Sequence, residues 1–157
     1  MAGGQLAFTY SFKDVQATIS GPGGIISLGN GAGVAEEGIS CEQIEDKTSW
    51  QIGADGSVAF SLHAAEVFRI TVRLLKTSPT NQQLSQMYTF QKTSSLFWGQ
   101  NTLVVTNSIT GDVYNGAQVA FVKFPSNSYA KEARTLEYEF VCGHMTEILG
   151  GAGLLIS

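Results

Sequence analysis

Charge is what this chain has least of. Of its 157 residues only 14% are Asp, Glu, Lys or Arg, where a soluble domain usually carries about 25%. Basic residues are the scarcer sign, since nine Lys and Arg against thirteen Asp and Glu leave a formal net charge of −4. That balance excludes the overall basic footprint with which nucleic-acid binders neutralise phosphates. Cysteine is almost missing. Cys41 and Cys142 are too few for a disulfide framework and read as two buried free thiols. No apolar run approaches the ~20 residues of a membrane helix, so no membrane-spanning segment is expected. No Asn stands two places before Ser or Thr, and Met1-Ala2-Gly3-Gly4-Gln5 has neither the basic region nor the apolar run of a signal peptide. These absences together lead to the expectation of a protein made in a reducing cytoplasm.

What is present is apolar and rich in glycine. Hydrophobic residues make up 43% of the chain, too many for a disordered segment. The length is that of one domain, expected over 1–157. Eighteen glycines stand where about eleven would be usual at ~7%. With so few charged side chains to keep its surface wet, the chain is best understood if other subunits cover part of it, because interface cores are depleted of charge. Self-assembly is therefore the working expectation.

Period-two alternation dominates the pattern. Leu6, Phe8, Tyr10 and Phe12 share one face over 5–13, and 15–20 reads as a second short strand. Residues 21–40 hold seven glycines and Pro22, and show neither period; they read as a long assembly loop that leaves Ile25, Ile26, Leu28 and Val34 without a core of their own. Over 41–53 an entirely polar face (Gln43, Glu45, Lys47, Ser49, Gln51) opposes Ile44, Trp50 and Ile52. Ala54-Asp55-Gly56 predicts a hairpin turn, returning through 57–63 with Val58, Phe60 and Leu62 against Ser57, Ala59, Ser61 and His63. Residues 66–76 alternate most cleanly. Ser78, Pro79 and the Leu84, Met87, Tyr88, Gln91 spacing predict one helix over 79–92. A hairpin over 102–108 and 113–124 and a last strand over 134–142 follow, with at most a helical turn beyond. The sum is a mainly β fold: a barrel-like sandwich of about eight strands with one flanking helix.

Motifs that would carry chemistry fail on their context. Gly29-Asn30-Gly31-Ala32-Gly33-Val34 lacks the sixth-position glycine and the following helix of a dinucleotide loop. Ser128-Tyr129-Ala130-Lys131 matches Ser-x-x-Lys without its companion motifs. Cys142 and His144 share a strand face and could pair as nucleophile and base, yet they close an apolar strand where a buried thiol is commoner. His63 and His144 have no partners at metal-ligand spacing. Glu36, Glu37, Glu42, Glu45 and Asp46 cluster on a loop and the strand after it, without the fixed pocket acid–base work needs. No catalytic, cofactor-binding or metal-binding residue is therefore assigned. One asymmetry remains: residues 1–46 carry six acids and the single base Lys13, a surface that repels nucleic acid.

Several blocks in order carry a resemblance: Tyr10-Ser11-Phe12-Lys13-Asp14-Val15, Gly21-Pro22-Gly23-Gly24, the Gly31 to Gly38 run, Ile52-Gly53-Ala54-Asp55-Gly56, the Thr71 to Pro79 run, Trp98-Gly99-Gln100-Asn101 and Tyr129-Ala130-Lys131. From about residue 8 to 151 the chain resembles the tail tube proteins of contractile-tailed bacteriophages, which are similar in architecture to the tube protein of type VI secretion. The resemblance implies hexameric rings stacked into a hollow tube inside the tail sheath. That tube belongs to the virion tail, with tape-measure, baseplate and terminator proteins as partners and DNA only in passage. It brings no catalytic residues. With it, Gly21, Pro22, Ile25, Ile26, Leu28, Val34, Glu36 and Glu37 are expected to form an inter-ring assembly loop. Gln43, Glu45, Ser49, Gln51, Ser57, Ser61, Glu137 and Glu139 are expected to face an acidic lumen, with Trp50, Ile52, Val58, Phe60, Tyr138 and Phe140 in the core behind them. Arg69 and Arg73 fall on the same face as the last two acids and are expected to pair with Glu45 or with a neighbour. The alternatives are a terminator or baseplate ring protein of the same fold, or a closed-barrel binder of small molecules with inward polar groups around a cavity.

Overall fold

The computed structural model of the chain describes residues 9–29, 34–132 and 134–150, and for 34–37 the backbone alone. Its element order is a 3-10 turn Phe12–Asp14, β1 Val15–Gly21, β2 Gly24–Ser27, β3 Val34–Gln43, β4 Thr48–Ile52, β5 Val58–Leu62, β6 Phe68–Leu75, α1 Thr80–Gln91, β7 Asn101–Asn107, β8 Asp112–Lys123 and β9 Thr135–Ile148. Seven strands form one antiparallel sheet in the order β2-β1-β7-β8-β9-β6-β3, and β4 and β5 pair only with each other. The mainly β class with one helix is as the alternation predicts.

The sheet folds around a single core. Ala17, Ile19 and Leu103 from the β1–β7 side and Ile70, Val72 and Phe140 from the β6–β9 side belong to one buried cluster, which α1 closes with Leu84 and Met87. The fold is made possible by β8 and β9, long strands that serve both halves. Their shared corner is visible in the backbone. The β7–β8 register shifts between Asn101 and Leu103, and Gln118 adopts φ 57. Opposite it Gly143 leaves no room for a side chain, since a Cβ there would lie 2.9 Å from Gln118 Oε1. A bulge bends the strand and adds twist, and glycine in a strand marks such close approach.

Several expectations are corrected at this level. Residues 12–14 are a 3-10 turn capped by Ser11, whose Oγ accepts from Lys13 N at 3.2 Å, not the end of a strand; residues 5–8 lie outside the description. The 21–40 segment is not one loop. Gly23 and Gly24, at φ 108 and 134, make the turn from β1 to β2. Gly38, at φ 66, sits in the register shift of β3. These glycines punctuate strands. The last strand does not stop at 142 but continues to Ile148, pairing Met145 with Gly116 and Ile148 with Val113. Gly143 is a corner within that strand and not its terminator.

One polar pair anchors the helix inside this core. Gln91, the last residue of α1, and Asn101, the first of β7, are both buried. Gln91 Nε2 donates to Asn101 Oδ1 (2.7 Å) and Asn101 Nδ2 returns a bond to Gln91 Oε1 (3.0 Å). The remaining donors reach Pro22 O at 2.8 Å and Val119 O at 3.1 Å. The pair ties α1, the β1–β2 turn, β7 and β8 together, with its buried polar atoms engaged as burial demands.

Candidate functional site

The β4–β5 hairpin is the chain's most exposed apolar surface. Asp55-Gly56 makes its turn as the sequence predicts, with Gly56 at φ 89 and Asp55 Oδ1 accepting from Ser57 N (3.0 Å) and Ser57 Oγ (2.6 Å). Those bonds, the side-chain one first, hold the Asp55 carboxyl below its usual range. Register pairs Thr48 with Leu62, Trp50 with Phe60 and Ile52 with Val58 on one face, and Ser49 with Ser61 and Gln51 with Ala59 on the other. The alternation read from sequence is thus intact, but its consequence is not. Trp50 (67% exposed), Ile52, Val58, Phe60 (74%) and Leu62 (82%) are uncovered, where a core had been expected behind the first four. The hairpin lies off the main sheet, so its apolar face has nothing of its own chain to pack on. Tyr138 and Phe140, expected in the core with them, are there.

The hairpin is fixed at its root. His63 N donates to Lys47 O at 2.8 Å and Lys47 Nζ donates to His63 O at 3.0 Å. Glu66 bridges outward, its Oε2 2.7 Å from His144 Nδ1 and its Oε1 3.9 Å from Lys47 Nζ. Both histidines of the chain therefore sit at this root. His144 is held by Glu66, while Cys142 is buried, its Sγ donating to the carbonyls of Ala117 and His144. Burial pushes the Cys142 thiol up. The two do not form a nucleophile–base pair.

A second surface is the outer face of β3, β6, β9 and the end of β8. Strand register places Glu42 opposite Arg69, Arg73 opposite Glu137, and Glu139 opposite both Thr71 and Lys123. Arg73 Nε lies 3.3 Å from Glu137 Oε2, so Arg73 pairs within its own chain and not with Glu45. Three acids and three bases share this face, which is charge-balanced and not acidic. The inward neighbours of these residues, Tyr138, Phe140 and Phe121, face the core on the side where α1 packs: Tyr138 Oη donates to Asn81 Oδ1 at 3.1 Å, and the rings of Tyr88 and Phe121 meet edge-on at 5.4 Å. The charged sheet face and α1 are therefore on opposite sides of the core.

The residues expected at a lumen are not brought together. Ser49, Gln51 and Ser61 share the polar hairpin face, and Glu137 and Glu139 share the charged sheet face. Gln43 is register partner to Phe68, on the side away from Glu42. Glu45 lies between β3 and β4, and Ser57 is engaged with Asp55 in the turn. The expected assembly loop divides likewise. Ile26 and Leu28 are buried in the chain's own core, and a Cβ on Gly21 would overlap the Asn101 carboxamide, so these residues and Pro22 serve the fold. Ile25 alone of that apolar set is exposed by the structure. Val34, Glu36 and Glu37 lie in β3, with side chains outside the description. What sequence reasoning missed is the buried Gln91–Asn101 pair, for which helical spacing gave only the single clue that Gln91 falls on the apolar stripe.

A cavity of about 340 Å³ opens between the 3-10 turn, β3 and the β7–β8 hairpin, lined by Tyr10, Phe12, Ile39, Cys41 and Tyr114 among others. Burial, and secondarily Cys142, pushes the Cys41 thiol up to about 11. The polar side chains at its rim are spent on the chain's own backbone: Asn107 Oδ1 accepts from Ile109 N and Thr110 N, and Asp112 Oδ1 from Gly150 N. A ligand pocket needs polar groups converging on its interior, and this one turns them away. Among the described residues no helix is long and apolar enough to cross a membrane.

The surfaces, not a pocket, distinguish the molecule, and known proteins agree. No curated protein matches the chain by sequence. Among solved structures, the fold is similar to a protein of the tail of an empty GTA particle refined with helical, C6 symmetry (TM-score 0.57, 16% identity, covering 89% of this chain and 99% of that one). It is similar also to the sheath/tube terminator of the extracellular contractile injection system PVC (0.55, 12%, 90% and 99%) and to a chain of the PVC sheath-tube complex (0.53, 10%, 85% and 88%). The family model of the bacteriophage PhiTE tail tube protein matches residues 7–150, and with nearly the whole chain covered, this protein belongs to that tail tube family.

Proposed function

We propose that the chain builds its tube by self-association into six-membered rings that stack, leaving a central conduit for a tape-measure protein and then genome DNA. The observation that carries this reading is the uncovered apolar face of the β4–β5 hairpin. Each Trp, Phe, Leu or Ile taken out of water there contributes about 1.5–3 kcal/mol, and a hairpin rigidly held at its root loses little entropy on docking. The channel face in this reading is the charged sheet face with Glu137 and Glu139, continued by the polar hairpin face of Ser49, Gln51 and Ser61. Its cations are engaged by carboxylates of the same chain. With −4 net charge on every subunit, the wall then offers phosphates little to hold. The tube lies within a tail sheath, assembles in the host cytoplasm and catalyses no reaction. The likeness to a tube terminator supports a second reading, a single ring that caps a tube. Sizing and negative-stain microscopy of the purified protein test both: stacked tubes of open length are expected, discrete rings favour the terminator, and a monomer at high concentration refutes the proposal.

A further inference from the structure

An open stack cannot be built from hairpins that meet each other. A contact between identical patches is two-fold and closes at a dimer, whereas rings and filaments need a patch that docks on a different patch of the next copy. The hairpin face therefore requires a receptor elsewhere on the same chain. It carries no charge, since Asp55 at the turn is the single charged residue of 48–62. Its receptor must be apolar and uncharged as well, because a buried unpaired charge is costly.

One described surface meets that requirement. From Thr77 to Gly111 the chain carries a single charged residue, Lys92, and its Nζ folds back over the Tyr88 ring at 5.0 Å. Within this stretch the last turn of α1 exposes Phe90, stacked on Phe97 at 5.0 Å, and the following turn exposes Leu96 (80%). The β1–β2 turn abuts them. Gly23 stands close enough to Phe90 that a Cβ would lie 3.5 Å from its ring, and Ile25, on the edge strand β2, is 77% exposed. Exposed apolar residues scattered singly need no explanation. Here they adjoin one another on a surface without free charge, the composition of an interface core. The other exposed apolar group, Ile109, Ile148 and Leu149, adjoins Asp112 and Glu147 and would set carboxylates against the hairpin.

We infer that the apolar face of the hairpin, centred on Trp50 and Phe60, docks on the Ile25–Phe90–Leu96 surface of a neighbouring copy of this chain. The inference rests on the self-assembly reading, and its test separates the two. The full chain carrying both Phe60→Cys and Leu96→Cys is oxidised mildly during assembly and run without reductant. Because every copy then holds both halves of the contact, a ladder of covalent multimers is expected, with none from either single variant. Dimers from Phe60→Cys alone would show hairpins meeting each other and overturn the inference. So would a ladder from Phe60→Cys with Ile109→Cys in its place, or normal tubes with no ladder. A protein that forms no rings or tubes at all fails the underlying reading instead. A mixing experiment gives a second readout. Phe60→Asp and Leu96→Asp should each remain monomeric, and together should form a heterodimer through the one intact contact. A mixture that stays monomeric overturns the inference.

Discussion

Replacing Gln91 by Leu tests whether the buried amide pair holds the helix to the barrel. The substitution breaks three hydrogen bonds: both between Gln91 and Asn101, and the one to Pro22 O. Asn101 Nδ2 keeps Val119 O, but Asn101 Oδ1 is left buried without a donor, and Pro22 O is left to find water. A buried orphan costs about 1–3 kcal/mol, and a lost bond with a rehydrated partner about 1 kcal/mol. The expected destabilisation is about 2–4 kcal/mol. For a chain of this length each kcal/mol lowers Tm by about 2–4 °C, so a fall of roughly 4–16 °C follows. Asn101→Leu should cost a similar amount, since it orphans Gln91 Oε1 and Val119 O. The double variant should cost less than the sum by about 1–3 kcal/mol, because the carboxamide oxygens that each single change strands are then both gone. The assay is thermal and urea unfolding in a Phe60→Asp background, so that assembly does not add to apparent stability. Strict additivity, or single variants within about 0.5 kcal/mol of the parent, would refute the account of the pair.

Other expectations follow from the same geometry. Gln118 holds φ 57 at the corner, where a β-branched residue costs about 1–2 kcal/mol; Gln118→Val should lower Tm while Gln118→Gly does not, and equal effects would show that the corner backbone has relaxed. Because the Asp55 carboxyl is depressed in the folded state, its contribution to the hairpin turn is present above the ordinary carboxylate value and is lost as pH falls through the lower, folded value. Ser57→Ala should move its NMR titration back up, and an unchanged titration would remove Ser57 as the cause. With Cys41 pushed up to about 11, only about one thiol in a thousand is ionised at pH 8, and the thiolate is the reactive form. A thiol reagent should label Cys41 and Cys142 slowly until denaturant is added; rapid labelling of the native protein contradicts the burial.

The sequence alone determined which side chains share a face. Trp50, Ile52, Val58 and Phe60 alternate with serine and glutamine because a strand has period two, and the structure keeps them together. The Asp55-Gly56 turn, the helix and the β6 face with Ile70 and Val72 were legible for the same reason: the signals are local, and lie within a few residues of the structure they specify. What lies opposite a face is not local. Whether Trp50 meets a core or open water depends on the hairpin leaving the main sheet. Ile26 and Leu28, in a run of glycines without period, are buried because β1 and the helix close over them. Arg73 finds Glu137 through the register of β6 on β9, set by strands more than sixty residues apart. Gly143 ends a strand when read by itself and bends one when Gln118 stands across from it. Periodicity fixes orientation within a strand, while pairing between distant strands sets the surroundings, and only the tertiary structure decided which apolar face of this tail tube protein was left bare.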